Sequence, residues 1–336
     1  MNTATGIGLI GIGYWGPNLL RIFASLPQIK LRIVCDRNNS AIEKYRLAYP
    51  NITFLTDFKA VINDKNIEAV IISTPAATHY DIARLALLSG KDVFVEKPVT
   101  LKISEAKALV NISKRTKKIL MVGHLLEYHP AVIKLKNLIE NKSLGDIYYI
   151  ESRRLNLGKI RREENVLWSL AVHDIATIIF LLGKMPVEVE ATGESYIQKN
   201  IEDLTFLTLR FPDNILAHIS VNWLSPRKVR EITVVGSRKM AIFDDMALDE
   251  KLKIWNQYKE EERFVSYQTL PKLKFGSISI PKVKLEEPLR LECEHFIECI
   301  KSRTQPRSDG EDGLRVLRVL KAAQDSLRKR KVIKIG

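Results

Sequence analysis

Ile7-Gly8-Leu9-Ile10-Gly11-Ile12-Gly13-Tyr14-Trp15-Gly16-Pro17-Asn18 is the stretch on which the reading of this chain turns. Residues 7–10 form a largely apolar run, as a strand buried on both faces requires. Gly11, Gly13 and Gly16 follow at G-x-G-x-x-G spacing, and Pro17 suits the first turn of a helix. A strand, a tight glycine turn and a helix start, in that order, present free backbone N–H groups to an anion such as a pyrophosphate. Asp36 closes the next apolar run, 31–35, where a carboxylate can accept hydrogen bonds from the ribose hydroxyls of a dinucleotide. The same charge repels a ribose 2′-phosphate, so NAD is the expected cofactor. Arg37 beside it keeps NADP use open.

Working outward, apolar runs at 7–10, 31–35, 69–72, 93–95 and 119–122 alternate with helical patterns at 18–24, 41–49, 58–62, 80–88 and 105–114, with a weaker strand signal at 52–55. Asp57 and Ser104 are expected helix N-caps, and Gly90 follows a helix end. This alternation predicts a doubly wound parallel α/β sheet, a Rossmann domain over residues 1–123. After Gly123 the rhythm changes. Helices at 130–140 and 164–182 flank a β-prone run at 147–157, and strand-like runs follow at 187–196, 204–211, 215–223, 230–235 and 239–243. Residues 124–336 are therefore expected to form an α+β substrate-binding and oligomerisation domain. Its sheet should be large, mostly antiparallel and open-faced, with two closing helices at 289–301 and 314–328.

The 336 residues are 46% hydrophobic and 27% charged, which argues for ordered globular structure. The formal net charge is +14. Its densest clusters, Lys114 to Lys118 and Arg328 to Lys331, fall where helices should end, and cations favour the negative end of the helix dipole. No nucleic-acid motif accompanies them, so no nucleic acid is expected as a partner. No apolar stretch is long enough to span a bilayer, and residues 1–5 lack a basic, then apolar, leader pattern. Cys35, Cys293 and Cys299 have neither disulfide nor metal spacing, which fits a reducing cytoplasm.

More specific signals lie downstream. Ser73-Thr74-Pro75 with Thr78-His79 follows the fourth strand, and Glu96-Lys97-Pro98 follows the fifth. Together with Gly145-Asp146-Ile147, Val172-His173-Asp174 and the tail from Glu287 to Ser326, these resemble the Gfo/Idh/MocA oxidoreductases across essentially the whole chain. The patterns Gly13 to Asn18, Arg154 to Gly158 and Val234 to Met240 are similar to the nucleotide-sugar branch of that family. The resemblance implies NAD-linked oxidation of the C3 hydroxyl of a UDP-N-acetylhexosamine, UDP-GlcNAc or its uronate. An aminotransferase would then install nitrogen there, in surface-glycan or lipid A precursor synthesis. Dehydrogenation of a free sugar or inositol is the alternative within the family. A cofactor-binding regulator without activity is the alternative outside catalysis.

The resemblance further implies that Lys97 touches both nicotinamide and the reacting hydroxyl, where an ammonium stabilises a developing alkoxide. His173 is the expected general base, since imidazole titrates near neutrality. The family motif carries an aspartate four residues before this histidine; here Ser169 stands in its place. Asp174 adjoins His173 but points about 100° around a helix, so it does not simply replace the missing acid. Gly11, Gly13, Tyr14, Trp15, Gly16, Asp36, Arg37, Ser73, Thr74, Pro75, His79, Glu96, Lys97 and His124 are the expected cofactor residues. Arg154 and Arg161 suit the phosphates of a nucleotide sugar, with Arg153 and Arg162 beside them. Asn156 could hydrogen-bond the sugar or its amide, and Trp168 could stack on a uracil. No metal ligand set is legible, and hydride transfer to nicotinamide requires none. The second-domain strands carry alternating apolar positions with too few helices to cover both faces, so a homo-oligomer, dimer or tetramer, is expected.

Overall fold

The computed structural model describes residues 5–158, 161–259 and 273–335. Residues 1–4, on which part of the leader reading rests, lie outside them. The chain opens with β1 (Thr5–Ile10), α1 (Gly16–Ser25), β2 (Ile29–Cys35), α2 (Asn39–Arg46), β3 (Thr53–Leu55) and α3 (Phe58–Asn63). It continues with β4 (Ala69–Ile72), α4 (His79–Leu88), β5 (Asp92–Glu96), α5 (Ile103–Thr116) and β6 (Leu120–Gly123). Then come α6 (Pro130–Glu140), β7 (Ile147–Leu157), α7 (Val172–Leu182), β8 (Glu188–Glu194), β9 (Leu204–Arg210) and β10 (Leu216–Asn222). The remaining elements are β11 (Leu224–Gly236), β12 (Lys239–Asp244), β13 (Leu252–Lys259), β14 (Leu273–Ser279), α8 (Pro288–Ser302), α9 (Gly310–Lys329) and β15 (Ile333–Lys334). Two compact units result: Met1–Tyr128 with Glu286–Arg318, and His129–Leu285 with Val319–Gly336.

In the first unit six parallel strands run in the order β3-β2-β1-β4-β5-β6. β1 and β4 are buried at every residue, the reason their sequences read as continuous apolar runs rather than alternating ones. Strand order reverses between these two, so the loops leaving their C-terminal ends sit side by side at the position where open α/β sheets bind ligands. Asp57 caps α3 by accepting the Lys59 N–H, as read from the sequence. Ser104 does not cap: α5 starts at Ile103, one residue earlier.

The first closing helix departs from the sequence reading. α8 lies in the first unit, where Leu289, Cys293, Phe296, Ile297 and Ile300 join Phe23 and Phe94 in one core. The Phe94 and Phe296 rings meet edge to face at 5.7 Å. Its apolar spacing identifies a buried face, but spacing alone does not say which sheet that face covers. α9 begins in the first unit and ends in the second.

The second unit carries a nine-stranded sheet in the order β14-β13-β12-β11-β7-β10-β9-β8-β15. All neighbours are antiparallel except β7 and β10. β13, β14 and β15 extend it beyond the strands legible in the sequence. Alternation sorts the two faces: Ala217, Ile219 and Val221 of β10 are buried, whereas Leu216 and His218 are exposed. The helix read at 164–182 forms in two parts, a π-helical turn over Leu167–Ala171 and then α7.

Candidate active site

The glycine loop has three glycines with three different surroundings. Gly11 adopts φ +97°, and a Cβ there would lie 2.8 Å from the Ser73 backbone. A Cβ on Gly16 would collide with the Gly11 carbonyl oxygen. These two glycines close the turn. A Cβ on Gly13 would meet no protein atom within 4 Å, so the loop is open at that point. That is the pattern a bound pyrophosphate requires: packed glycines at the ends and free space at the middle one. Ser73 Oγ donates to the Gly11 carbonyl at 2.6 Å and ties the β4 loop to the β1 loop. Asp36 accepts the Ile12 N–H and the Asn38 N–H, each at 2.8 Å. The residues present therefore fit a dinucleotide.

Around that loop the expected cofactor residues divide into exposed and buried sets. Tyr14 is exposed, and Trp15 packs partly into the core while its indole hydrogen-bonds Glu96. Thr78 Oγ1 donates within the β4 loop, to Pro75 O at 2.8 Å, and lies 2.7 Å from Thr74 Oγ1. His79 is buried, with its ring nitrogens 2.8 Å from Thr74 O and 2.9 Å from Pro98 O. Burial pushes this imidazole down, against the two carbonyls. Its place is a joint between the β4 loop and the Lys97-Pro98 turn.

Lys97 is half-buried just past the end of β5. Its backbone N–H lies 3.3 Å from Glu96 Oε2. Burial lifts the Glu96 carboxyl to about 7, with Lys97 and the Trp15 hydrogen bond opposing. Gly123 leaves room for that carboxyl, since a Cβ there would stand 3.0–3.1 Å from its atoms.

His124, another of the expected cofactor residues, sits in a buried polar group. It is buried with Glu127 and Asp312, and Nδ1 lies 2.7 Å from Asp312 Oδ2 and 3.4 Å from Glu127 Oε1. Burial alone would lower this imidazole; the Asp312 hydrogen bond and the nearby Glu127 outweigh it and hold it up to about 10. Sequence reasoning missed this group because Asp312 stands 188 residues away. The only local signal was the i, i+3 spacing of His124 and Glu127.

In the second unit, β7 and α7 set the geometry. Ile150, Ser152 and Arg154 share the buried face of β7, each two residues after the last, as a strand dictates. Beneath α7, Ser152 Oγ donates to Asp174 Oδ1 at 2.7 Å, and Arg154 donates from Nε to Oδ2 at 2.8 Å and from Nη2 to Oδ1 at 3.2 Å. Arg154 is thus committed to a buried ion pair, contrary to the expectation that it contacts substrate phosphate. Asp174 is the inward neighbour of His173, which is half-exposed at the second position of α7. The His173 carbonyl accepts Thr177 Oγ1 at 2.7 Å. Ser169 is buried in the π-helical turn, a distortion that often marks functional sites.

Trp168 is also not available as an open stacking platform. It is buried, its Nε1–H donates to Gln324 at 3.0 Å, and the Lys321 ammonium lies 5.0 Å from the ring centre. Asn156 is half-buried near the end of β7. Arg153 pairs with Glu231 and Arg161 with Glu164, both on the surface, and Arg162 is exposed. Among the described residues no helix is long and apolar enough to cross a membrane.

Comparison with known proteins agrees with this geometry. The family model for the NAD-binding Rossmann fold of the oxidoreductase family matches residues 5–124, and that for its C-terminal alpha/beta domain matches 136–335. The chain is 26% identical over 317 residues to UDP-N-acetylglucosamine 3-dehydrogenase of Acidithiobacillus ferrooxidans, covering 92% of this chain and 93% of that one. It is 25% identical to inositol 2-dehydrogenase of Salmonella typhimurium, over 64% of this chain and 67% of the relative. A solved putative oxidoreductase from Magnetospirillum magnetotacticum superposes with a TM-score of 0.80 at 31% identity, covering 95% of this chain and 99% of the other. With a loop built for a dinucleotide and family models matched over both units, the chain belongs to the Gfo/Idh/MocA family of NAD(P)-binding oxidoreductases.

Proposed function

We propose that this oxidoreductase oxidises the C3 hydroxyl of a UDP-N-acetylhexosamine, UDP-GlcNAc or its uronate, to the 3-keto sugar with NAD, before transamination. The observation that carries this reading is the end-to-end match to the nucleotide-sugar relative, against about two thirds of the chain for the inositol enzyme. The match includes the unit that bears His173 and the exposed Arg161 and Arg162. The latter two suit a diphosphate better than Arg154, whose donors Asp174 occupies.

When bound, the nicotinamide supplies the hydride acceptor. Asp36 selects NAD by accepting ribose hydroxyls and repelling a 2′-phosphate. The Lys97 ammonium stabilises negative charge on the reacting oxygen, and His173 accepts the hydroxyl proton. Arg154 and Ser152 position the helix of His173 by anchoring the adjacent Asp174. Tyr149, Phe206 and Leu216 expose apolar surface on one face of the nine-stranded sheet, which supports a homo-oligomer paired through that face.

The test is a substrate panel of UDP-GlcNAc, its uronate, free N-acetylglucosamine and myo-inositol. NADH formation with UDP-sugars alone, with the keto group located at C3 in the product, is the expected result. NADH formation with inositol or a free sugar but no UDP-sugar would replace this reading.

A further inference from the structure

The group His124, Glu127 and Asp312 brings three features together. All three are buried: His124 is 3% exposed, Glu127 1% and Asp312 2%. Their ligand-type atoms lie within 4.8 Å of one another. As an ionised carboxylate, Glu127 receives no hydrogen bond on either of its buried oxygens. Oε1 instead faces His124 Nδ1 at 3.4 Å.

A buried carboxylate with neither oxygen satisfied is costly. A proton on His124 serves Asp312 through the 2.7 Å contact, and burial lifts the Glu127 carboxyl to about 8, so that a proton held there is shared with Asp312. Imidazolium, one carboxylate and one carboxyl sum to zero, and exchange of both protons for a divalent ion keeps that sum. A neutral imidazole, two carboxylates and a divalent ion sum to zero.

We propose that His124, Glu127 and Asp312 form a structural binding site for a first-row divalent metal ion, zinc or manganese. The donor set fits, with one imidazole nitrogen and two carboxylates. Metal–donor distances of about 2.0–2.2 Å place tetrahedral donors about 3.3 Å apart. The Nδ1–Oε1 separation already matches this value, and the Nδ1–Oδ2 pair opens by about half an ångström as the ion replaces the Nδ1 and Glu127 protons, which leave to solvent. Arg315 Nη2 holds the other Asp312 oxygen at 2.9 Å, aiming Oδ2 inward as a supporting partner should. The ion ties the turn after β6 to the first turn of α9, within the first unit.

The test uses the full chain, purified without chelator or metal-affinity resin. Elemental analysis should find about one equivalent of zinc or manganese per chain, or the chain should take up about one when offered about a tenfold excess at neutral pH. Removal with dipicolinate should lower the unfolding midpoint by about 5 °C or more, and re-addition should restore it. Glu127→Gln, nearly the same shape, should abolish both effects. Metal below about 0.1 equivalent even after the added excess would overturn the proposal. Full retention of the metal in Glu127→Gln and in His124→Gln would place it elsewhere and overturn it equally. None of these readouts uses turnover, so they stand apart from the assignment of substrate.

Discussion

Replacing Arg154 decides whether this side chain serves substrate or scaffold. Its guanidinium donates two hydrogen bonds to Asp174, and the two side chains are 8% and 1% exposed. Arg154→Met keeps the bulk of the side chain but leaves the Asp174 carboxylate with Ser152 Oγ as its remaining partner among these contacts. Removing one partner of a buried ion pair costs about 3–5 kcal/mol, because the other charge stays buried. For a body of about 150–250 residues each kcal/mol moves the midpoint by about 2–4 °C, so a fall of about 6–20 °C is expected. Asp174→Asn should fall in the same direction. The double variant Arg154→Met with Asp174→Leu should recover much of the loss, since no charge is then stranded. Thermal unfolding followed by circular dichroism measures all of these. A midpoint for Arg154→Met within about 2 °C of the parent, with KM for the UDP-sugar raised about tenfold, would refute the scaffold reading.

Four other outcomes follow from the site. Asp36→Ala should weaken NAD and relatively improve NADP, because one ribose acceptor and one repulsive charge vanish together; an unchanged ratio of kcat/KM values would remove Asp36 from cofactor choice. Lys97→Ala and His173→Ala should each reduce turnover by about 10²-fold or more with NAD affinity retained, and a parental rate in either variant would remove that residue from the chemistry. Glu96 has its carboxyl raised from 4.5 to about 7 by burial, so between those values the folded chain binds more protons than the unfolded one and loses stability as pH rises. Glu96→Gln should therefore gain in midpoint relative to the parent from pH 5 to pH 8, and a constant difference would contradict this. Phe206→Glu on the exposed face of the sheet should shift sedimentation toward monomer, whereas a parent that is monomeric at micromolar concentration would exclude the oligomer.

The sequence alone determined the parallel-sheet unit, because its signals are local. Strand runs, the glycine turn before α1 and the acid after β2 all lie within a few residues of the structure they specify. Part of the second unit was legible by the same route. The parity of Arg154 with Ile150 was there to be read as well, and places Arg154 on the buried face of β7. Only the tertiary structure decided which buried faces meet. It brought α8 into the first core, paired Asp174 with Arg154, covered the Trp168 ring with Lys321 and carried Asp312 to His124. Each of these depends on contacts between elements far apart in the chain. A helical or strand period states that a side chain turns inward, and chain topology alone supplies what it meets there.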